Sequence, residues 1–283
     1  MRTNNQNKET TDKEQASSRS KGAPDKEQAN SPKAIVVTGL SKQYPDKTAV
    51  DNISFSVDKG SIFSLLGVNG AGKTTTIKML CGLTHPSGGE AYVLSHNIHT
   101  ELDEVKKLVN ISPQDTSVAS RLTVRENLEF IAGIYGADRK KQREKADEMI
   151  QYFHLQEVAD RRAKVLSGGW QRKLSIAMAL ITEPQIIFLD EPTLGLDVLA
   201  RRELWEVIRR MKEKITIILT THYMEEAESL SDKVAVMVDG RIKAMGSVEE
   251  LKEQTGADNL EEAFVRIAQE AFVCIAQEGG ARS

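Results

Sequence analysis

Gly67-Val68-Asn69-Gly70-Ala71-Gly72-Lys73-Thr74-Thr75 constrains the fold of this chain more than any other stretch. The apolar run before it, Ile62-Phe63-Ser64-Leu65-Leu66, reads as a buried strand, and Thr76-Ile77-Lys78-Met79-Leu80 after it reads as the first turns of a helix. A strand, a glycine-rich turn and Lys-Thr at a helix start make the phosphate-binding loop G-x-x-x-x-G-K-[ST]. Glycines let the backbone pass close to phosphate oxygens with its N–H groups turned inward. The helix start adds unpaired N–H groups and a dipole that favours anions. Lys73 is placed to reach the β- and γ-phosphates as a point charge, and the Thr74 hydroxyl to ligate Mg²⁺. A glycine-rich turn before an ordinary helix is the alternative; the flanking strand and helix argue against it. A nucleoside triphosphate site follows, but the loop alone does not say what hydrolysis is for.

Length and composition bound the rest. The chain has 283 residues, 40% hydrophobic and 28% charged, which suits one large globular domain or a domain with a subdomain. Its net charge of −3 provides no electrostatic footprint for nucleic acid, so no nucleic-acid partner is expected. Cys81 and Cys274 lack metal-ligand spacing and read as reduced thiols of a cytosolic protein, Cys81 buried behind the loop helix. No run approaches the roughly 18 apolar residues of a spanning helix, and the N-terminus is polar rather than a signal segment. Any work at a membrane is therefore expected from outside the lipid, with the channel on another chain.

Along the chain, residues 1–32 carry almost no large apolar side chains and read as a disordered tail. Within it Asp12-Lys13-Glu14-Gln15-Ala16 recurs as Asp25-Lys26-Glu27-Gln28-Ala29. Strands are expected over 34–40 and 49–57, split by a turn at Tyr44-Pro45-Asp46-Lys47, and form an antiparallel layer beside the nucleotide core. Residues 115–182 turn helical and read as an inserted subdomain, with Leu128, Ile131 and Ile134 on one stripe and a charged helix over 140–153. Short apolar runs at 186–189, 215–219 and 234–238 with helices between them indicate a parallel sheet in a doubly wound α/β core. A tail over 254–283 follows a core that ends near 253. In it Ala263-Phe264-Val265-Arg266-Ile267-Ala268-Gln269-Glu270 is nearly repeated as Ala271-Phe272-Val273-Cys274-Ile275-Ala276-Gln277-Glu278. Phe264, Ile267, Ala268, Ala271 and Ile275 share a helical face, which reads as a lengthened terminal helix or as a docking surface.

Ile186-Ile187-Phe188-Leu189-Asp190-Glu191 is an apolar strand ending in two carboxylates. An acid at the carboxyl end of a core strand lies beside the phosphate crevice. Asp190 is placed to hold Mg²⁺, directly or through water, and Glu191 to act as general base on the attacking water. Ser167-Gly168-Gly169 then opens another helix, with Ser167 as its N-cap and the glycines admitting an anion. Taken singly, that segment reads more readily as a capped helix with a flexible start.

In this order the motifs resemble those of the ATP-binding subunit of an ABC transporter over residues 33–251, a P-loop NTPase fold. Ser167-Gly168-Gly169 resembles the family signature and Asp190-Glu191 its Walker B end. Gln114 resembles the Q-loop, Leu196-Asp197 the D-loop, and His222 the switch histidine. Tyr44 lies where the family stacks an aromatic ring on adenine. The resemblance implies ATP and Mg²⁺ as ligands and a head-to-tail dimer, of identical or paired ATP-binding subunits, around two ATP molecules. The loop 67–75 of one copy and Ser167, Gly168 and Gly169 of the other would clasp one γ-phosphate. His222 would hold that phosphate and the attacking water, Gln114 would touch Mg²⁺ and water, and Asp197 would link the two sites. It further implies integral membrane permease subunits as partners, a place on the cytoplasmic face of the membrane, and export through the permease. The alternative is a soluble ATPase of the same family working on ribosomes or DNA. Trp170, Val68 and Ser95 depart from the common Gln or Met, Pro and Gly, and only Trp170 bears on the signature contact.

Overall fold

β3 (Ile62–Leu66), the apolar run before the loop, is buried at every position, because strands lie on both sides of it and layers cover both faces. The computed structural model describes residues 32–212 and 214–280, with 271–280 as backbone alone. β3 pairs in parallel with β8 (Thr216–Thr221) and β9 (Lys233–Val238), and β8 in turn with β7 (Ile186–Asp190) and β6 (Val109–Ser112) beyond it. β10 (Arg241–Gly246) closes one edge antiparallel to β9, giving the order β10-β9-β3-β8-β7-β6. The doubly wound parallel core expected from the short apolar runs is present.

A second sheet, entirely antiparallel, has the order β2-β1-β4-β5, from β1 (Lys33–Tyr44), β2 (Lys47–Asp58), β4 (Gly88–Val93) and β5 (His96–Asn97). The turn between β1 and β2 is at Pro45-Asp46, as the sequence implies. The β4–β5 turn places Leu94 and Ser95 at φ 49° and 73°, a left-handed pair that suits a tight hairpin. Ser95 thus occupies a conformation that glycine adopts without steric cost.

Side chains of the central sheet alternate between two cores. Ile187, Leu189, Ile217 and Leu219 face a cluster built with α3 (Val124–Ile134), α4 (Arg139–Tyr152), α5 (Gly168–Leu180) and α6 (Val198–Lys212). Ile186, Phe188 and Ile218 face the antiparallel sheet and α1 (Lys73–Leu80), where Phe55 and Phe63 stack at 5.2 Å. The period of two puts each neighbour on the opposite side. Cys81 belongs to this second cluster and is buried, as expected. A short helix, α2 (Leu102–Leu108), leads into β6.

α3 starts at a full capping box, Thr123 with Glu126. Its stripe differs from the expected one. Leu128 is buried, but Ile134 is 61% exposed, because six residues turn a helix about 240° away from the starting face. α7 (Met224–Leu230), α8 (Val248–Thr255) and α9 (Leu260–Gly280) pack a third cluster against β9. Phe264 and Ile267 of α9 are buried there, so the first copy of the terminal repeat is core packing. The side chains of Ala271, Cys274 and Ile275, and the whole tail 1–31 with its repeat, lie outside the described residues.

Candidate functional site

The loop after β3 and the end of β7 share a cavity of about 250 Å³, lined by Lys47, Ala49, residues 69–75, Gln114 and Glu191. Gly72 caps α1 at φ 105°, and a Cβ there would lie 2.4 Å from the Ala49 carbonyl oxygen. Glycine is what allows β2 and the loop to approach so closely. A roomier cleft of about 410 Å³ lies at the opposite ends of the parallel strands, around Gly60, Gln185 and Thr216, and contains none of these groups.

Lys73 is buried, and its ammonium is folded back onto the loop. Nζ donates to the Gly67 carbonyl at 2.7 Å and the Val68 carbonyl at 3.2 Å, and meets Glu191 Oε1 at 3.1 Å. Glu191 follows β7 with φ 48°, a left-handed turn that costs a non-glycine residue roughly 1–3 kcal/mol. Its N–H donates to the Thr220 hydroxyl at 3.0 Å and the Thr220 carbonyl at 3.1 Å, which holds the turn. The carboxylate then spans two partners, Lys73 on Oε1 and His222 Nδ1 on Oε2 at 2.6 Å. An ionised carboxylate only accepts, so this contact keeps a proton on Nδ1.

Asp190 Oδ1 accepts from Thr74 Oγ1 at 2.9 Å and from Thr220 Oγ1 at 2.6 Å. The Thr220 hydroxyl therefore donates to one acid and accepts from the backbone of the next. Sequence reasoning missed Thr220; the available signal is a pair of threonines closing a strand whose middle, Ile217 to Leu219, is apolar. The hydroxyl of Thr74, the carboxylate of Asp190 and the nearby Gln114 amide are hard oxygen donors. Among the described residues no cluster of three or more His, Cys, Asp or Glu forms a closed metal cage. A small divalent cation that keeps phosphate and water among its ligands, as Mg²⁺ does, fits this donor set.

Several expected residues lie away from this cavity. Tyr44 is 38% exposed at the end of β1, with Lys42 Nζ 5.1 Å from its ring centroid, and Lys47 and Ala49 of the same hairpin line the cavity instead. Ser167, Gly168 and Gly169 open α5 and do not line the cavity. Ser167 occupies the N-cap position, but its side chain makes no capping hydrogen bond. Asp197 caps α6 by accepting from the Leu199 and Ala200 N–H groups at 3.0 Å each. Trp170 packs beside Lys173, whose Nζ is 4.8 Å from the ring and 2.8 Å from Glu203 on α6.

Glu226, a fully buried residue of α7, was not singled out by the sequence. Trp205 Nε1 donates to its Oε1 at 3.2 Å. Burial pushes this carboxyl above its ordinary value; Thr221, Thr193 and Trp205 oppose the rise and the Glu191 charge adds to it. A raised native value means that the fold keeps a proton which the unfolded chain has already lost. Stability therefore falls as pH climbs from about 4.3 toward the raised native value. Glu226→Gln retains the shape and removes the ionisation, so its melting temperature declines less over that range. Thermal denaturation across pH checks this, and identical pH dependence in both proteins would refute it.

The comparisons with known proteins agree with this geometry. The family model described as ABC transporter matches residues 50–194. The chain is 40% identical over 229 residues to the daunorubicin/doxorubicin resistance ATP-binding protein DrrA of Streptomyces peucetius, covering 81% of this chain and 69% of that one. It is 39% identical over 234 residues to the probable multidrug ABC transporter ATP-binding protein YbhF of Escherichia coli (strain K12), covering 81% of this chain but only 40% of YbhF. A solved ATP-binding subunit of an ABC transporter superposes with TM-score 0.73 at 30% identity, over 83% of this chain and 99% of that one. The structure of cbiO1 from Clostridium perfringens, part of the ABC transporter complex cbiONQ, superposes with TM-score 0.72 at 26% identity, over 78% and 91%.

Proposed function

The chain belongs to the ABC transporter family, as an ATP-binding subunit and an ATPase, and from that premise we propose that it powers export through a separate membrane permease. The observation that carries the ATPase side of this reading is the Lys73–Glu191–His222 chain of contacts beside Thr74–Asp190. Lys73 and the loop 67–75 bind the phosphates, and Glu191 takes the proton of the attacking water. His222 orients Glu191 and holds the γ-phosphate. Thr74, Asp190 and Gln114 would hold Mg²⁺, which supplies charge neutralisation on the β- and γ-phosphates. The working unit is 33–253, with 115–182 as its helical subdomain.

Dimerisation follows from an incompleteness. Ser167, Gly168 and Gly169 present a glycine-rich helix start that the cavity of their own chain does not use. A second subunit facing head to tail, identical or a paired homologue, brings that helix start to the γ-phosphate. Among the described residues no helix is long and apolar enough to cross a membrane. Membership of the ABC transporter family as an ATP-binding subunit supports a peripheral place on the cytoplasmic face, beside a permease of another chain. The names of DrrA and YbhF, one a drug-resistance and the other a probable multidrug protein, support export.

The test is purification of the tagged full-length chain from membranes of its own cells. We expect co-purification of an integral membrane protein and ATP hydrolysis by the complex. Recovery with ribosomes or DNA, and without a membrane protein, would sink the transport reading.

A further inference from the structure

Arg172, on the second turn of α5, carries a cation into the interior at 4% exposure. Its guanidinium is spent on backbone. Nη1 donates to the Pro113 carbonyl at 2.7 Å, and Nη2 donates to the Gln114 carbonyl. One turn further on the same face, the Ser175 hydroxyl meets the Ser112 hydroxyl at 3.0 Å. The last residue of β6 and the two after it are thus all held by one face of one helix. Burial depresses the guanidinium below its ordinary value, and the charges of Asp190 and Asp115 oppose that shift. A desolvated cation is an expensive way to fill space, and here it satisfies two carbonyls where the sheet ends.

The clamp matters because nothing regular holds this stretch. From Pro113 to Leu122 the backbone belongs to no helix or strand, and Pro113 has no N–H to offer a ladder. Gln114 nevertheless lines the cavity of the phosphate loop. We propose that Arg172 is a positioning residue for Gln114, tying the Gln114 loop to the helix that opens with Ser167-Gly168-Gly169. The proposal rests on the reading of Gln114 under Proposed function. In a head-to-tail dimer α5 touches the nucleotide of the partner at its start and, through Arg172, sets Gln114 at its own. A tilt of α5 then moves Gln114, so each half-site registers closure of the other.

A planar fork spans two successive carbonyls, and a lysine ammonium at that position does not reproduce it. The test uses the purified full-length protein in a double-mutant cycle of Arg172→Lys and Gln114→Ala. We expect Arg172→Lys to lower kcat for ATP by roughly 10–100-fold with ATP affinity and melting temperature close to wild type. Added to Gln114→Ala, Arg172→Lys should lower kcat little further. Backbone amide exchange without nucleotide should quicken over 114–122 in Arg172→Lys and in Arg172→Met. Unchanged exchange, wild-type kcat in Arg172→Lys, or the same fold-loss in both backgrounds overturns the proposal and leaves Gln114 its role. Wild-type turnover by Gln114→Ala instead overturns the reading of Gln114, and the proposal with it.

Discussion

Glu191→Gln lowers ATP turnover by roughly 10²–10⁴-fold, the usual contribution of a general base, while ATP still binds. The amide keeps the size of the carboxylate and its place in the turn, because that turn is held by Thr220 through the Glu191 backbone. What it loses is the capacity to accept a proton from water. The contact with His222 Nδ1 survives, since an amide oxygen also accepts. Loss of the negative charge facing Lys73 favours the phosphates rather than opposing them. Phosphate release and nucleotide binding, measured on the same preparation, separate the two effects. Turnover at the wild-type rate would remove Glu191 from the chemistry.

Lys73→Ala acts on the other side of the same contact. A hydrogen bond to a charged group contributes about 1.5–3 kcal/mol, so ATP affinity falls roughly 10–100-fold. The variant also has a cost before nucleotide arrives. Lys73 and Glu191 are both almost fully buried, and removal of one partner leaves the carboxylate with His222 alone. The loss of stability stays below the roughly 3–5 kcal/mol of a fully broken buried pair. Calorimetric titration with ATP and thermal melts of the nucleotide-free protein check both parts. Wild-type ATP affinity would exclude the ammonium from phosphate binding.

The legible parts of the site are those encoded by local chemistry. Glycine spacing before Lys73 specifies a turn that other residues cannot make, and an apolar strand ending at Asp190 specifies where an acid meets the loop. Residues whose roles arise from distant partners were silent. Thr220 is one of three threonines in a strand until the register of β8 against β7 sets its hydroxyl between Asp190 and the Glu191 N–H. Glu226 reads as one more acid in a charged helix, and only packing against Trp205 makes it a buried carboxyl. The helical stripe through Ile134 failed for a geometric reason, since three apolar letters spaced by three drift around a helix of 3.6 residues per turn.

By itself, then, the sequence determined the class of fold and the phosphate chemistry. Both are written in short contiguous patterns, a period of two in the strands and a glycine-lysine turn between strand and helix. The tertiary structure alone decided which groups touch. It joined Lys73 to Glu191, more than a hundred residues further along the chain, and Glu191 to His222 into one line of contacts. It also left Ser167-Gly168-Gly169 off the lining of the loop's cavity. The reason is that parallel strands adjacent in space are remote in sequence, so the meeting of their carboxyl ends is set by strand order and not by any local pattern.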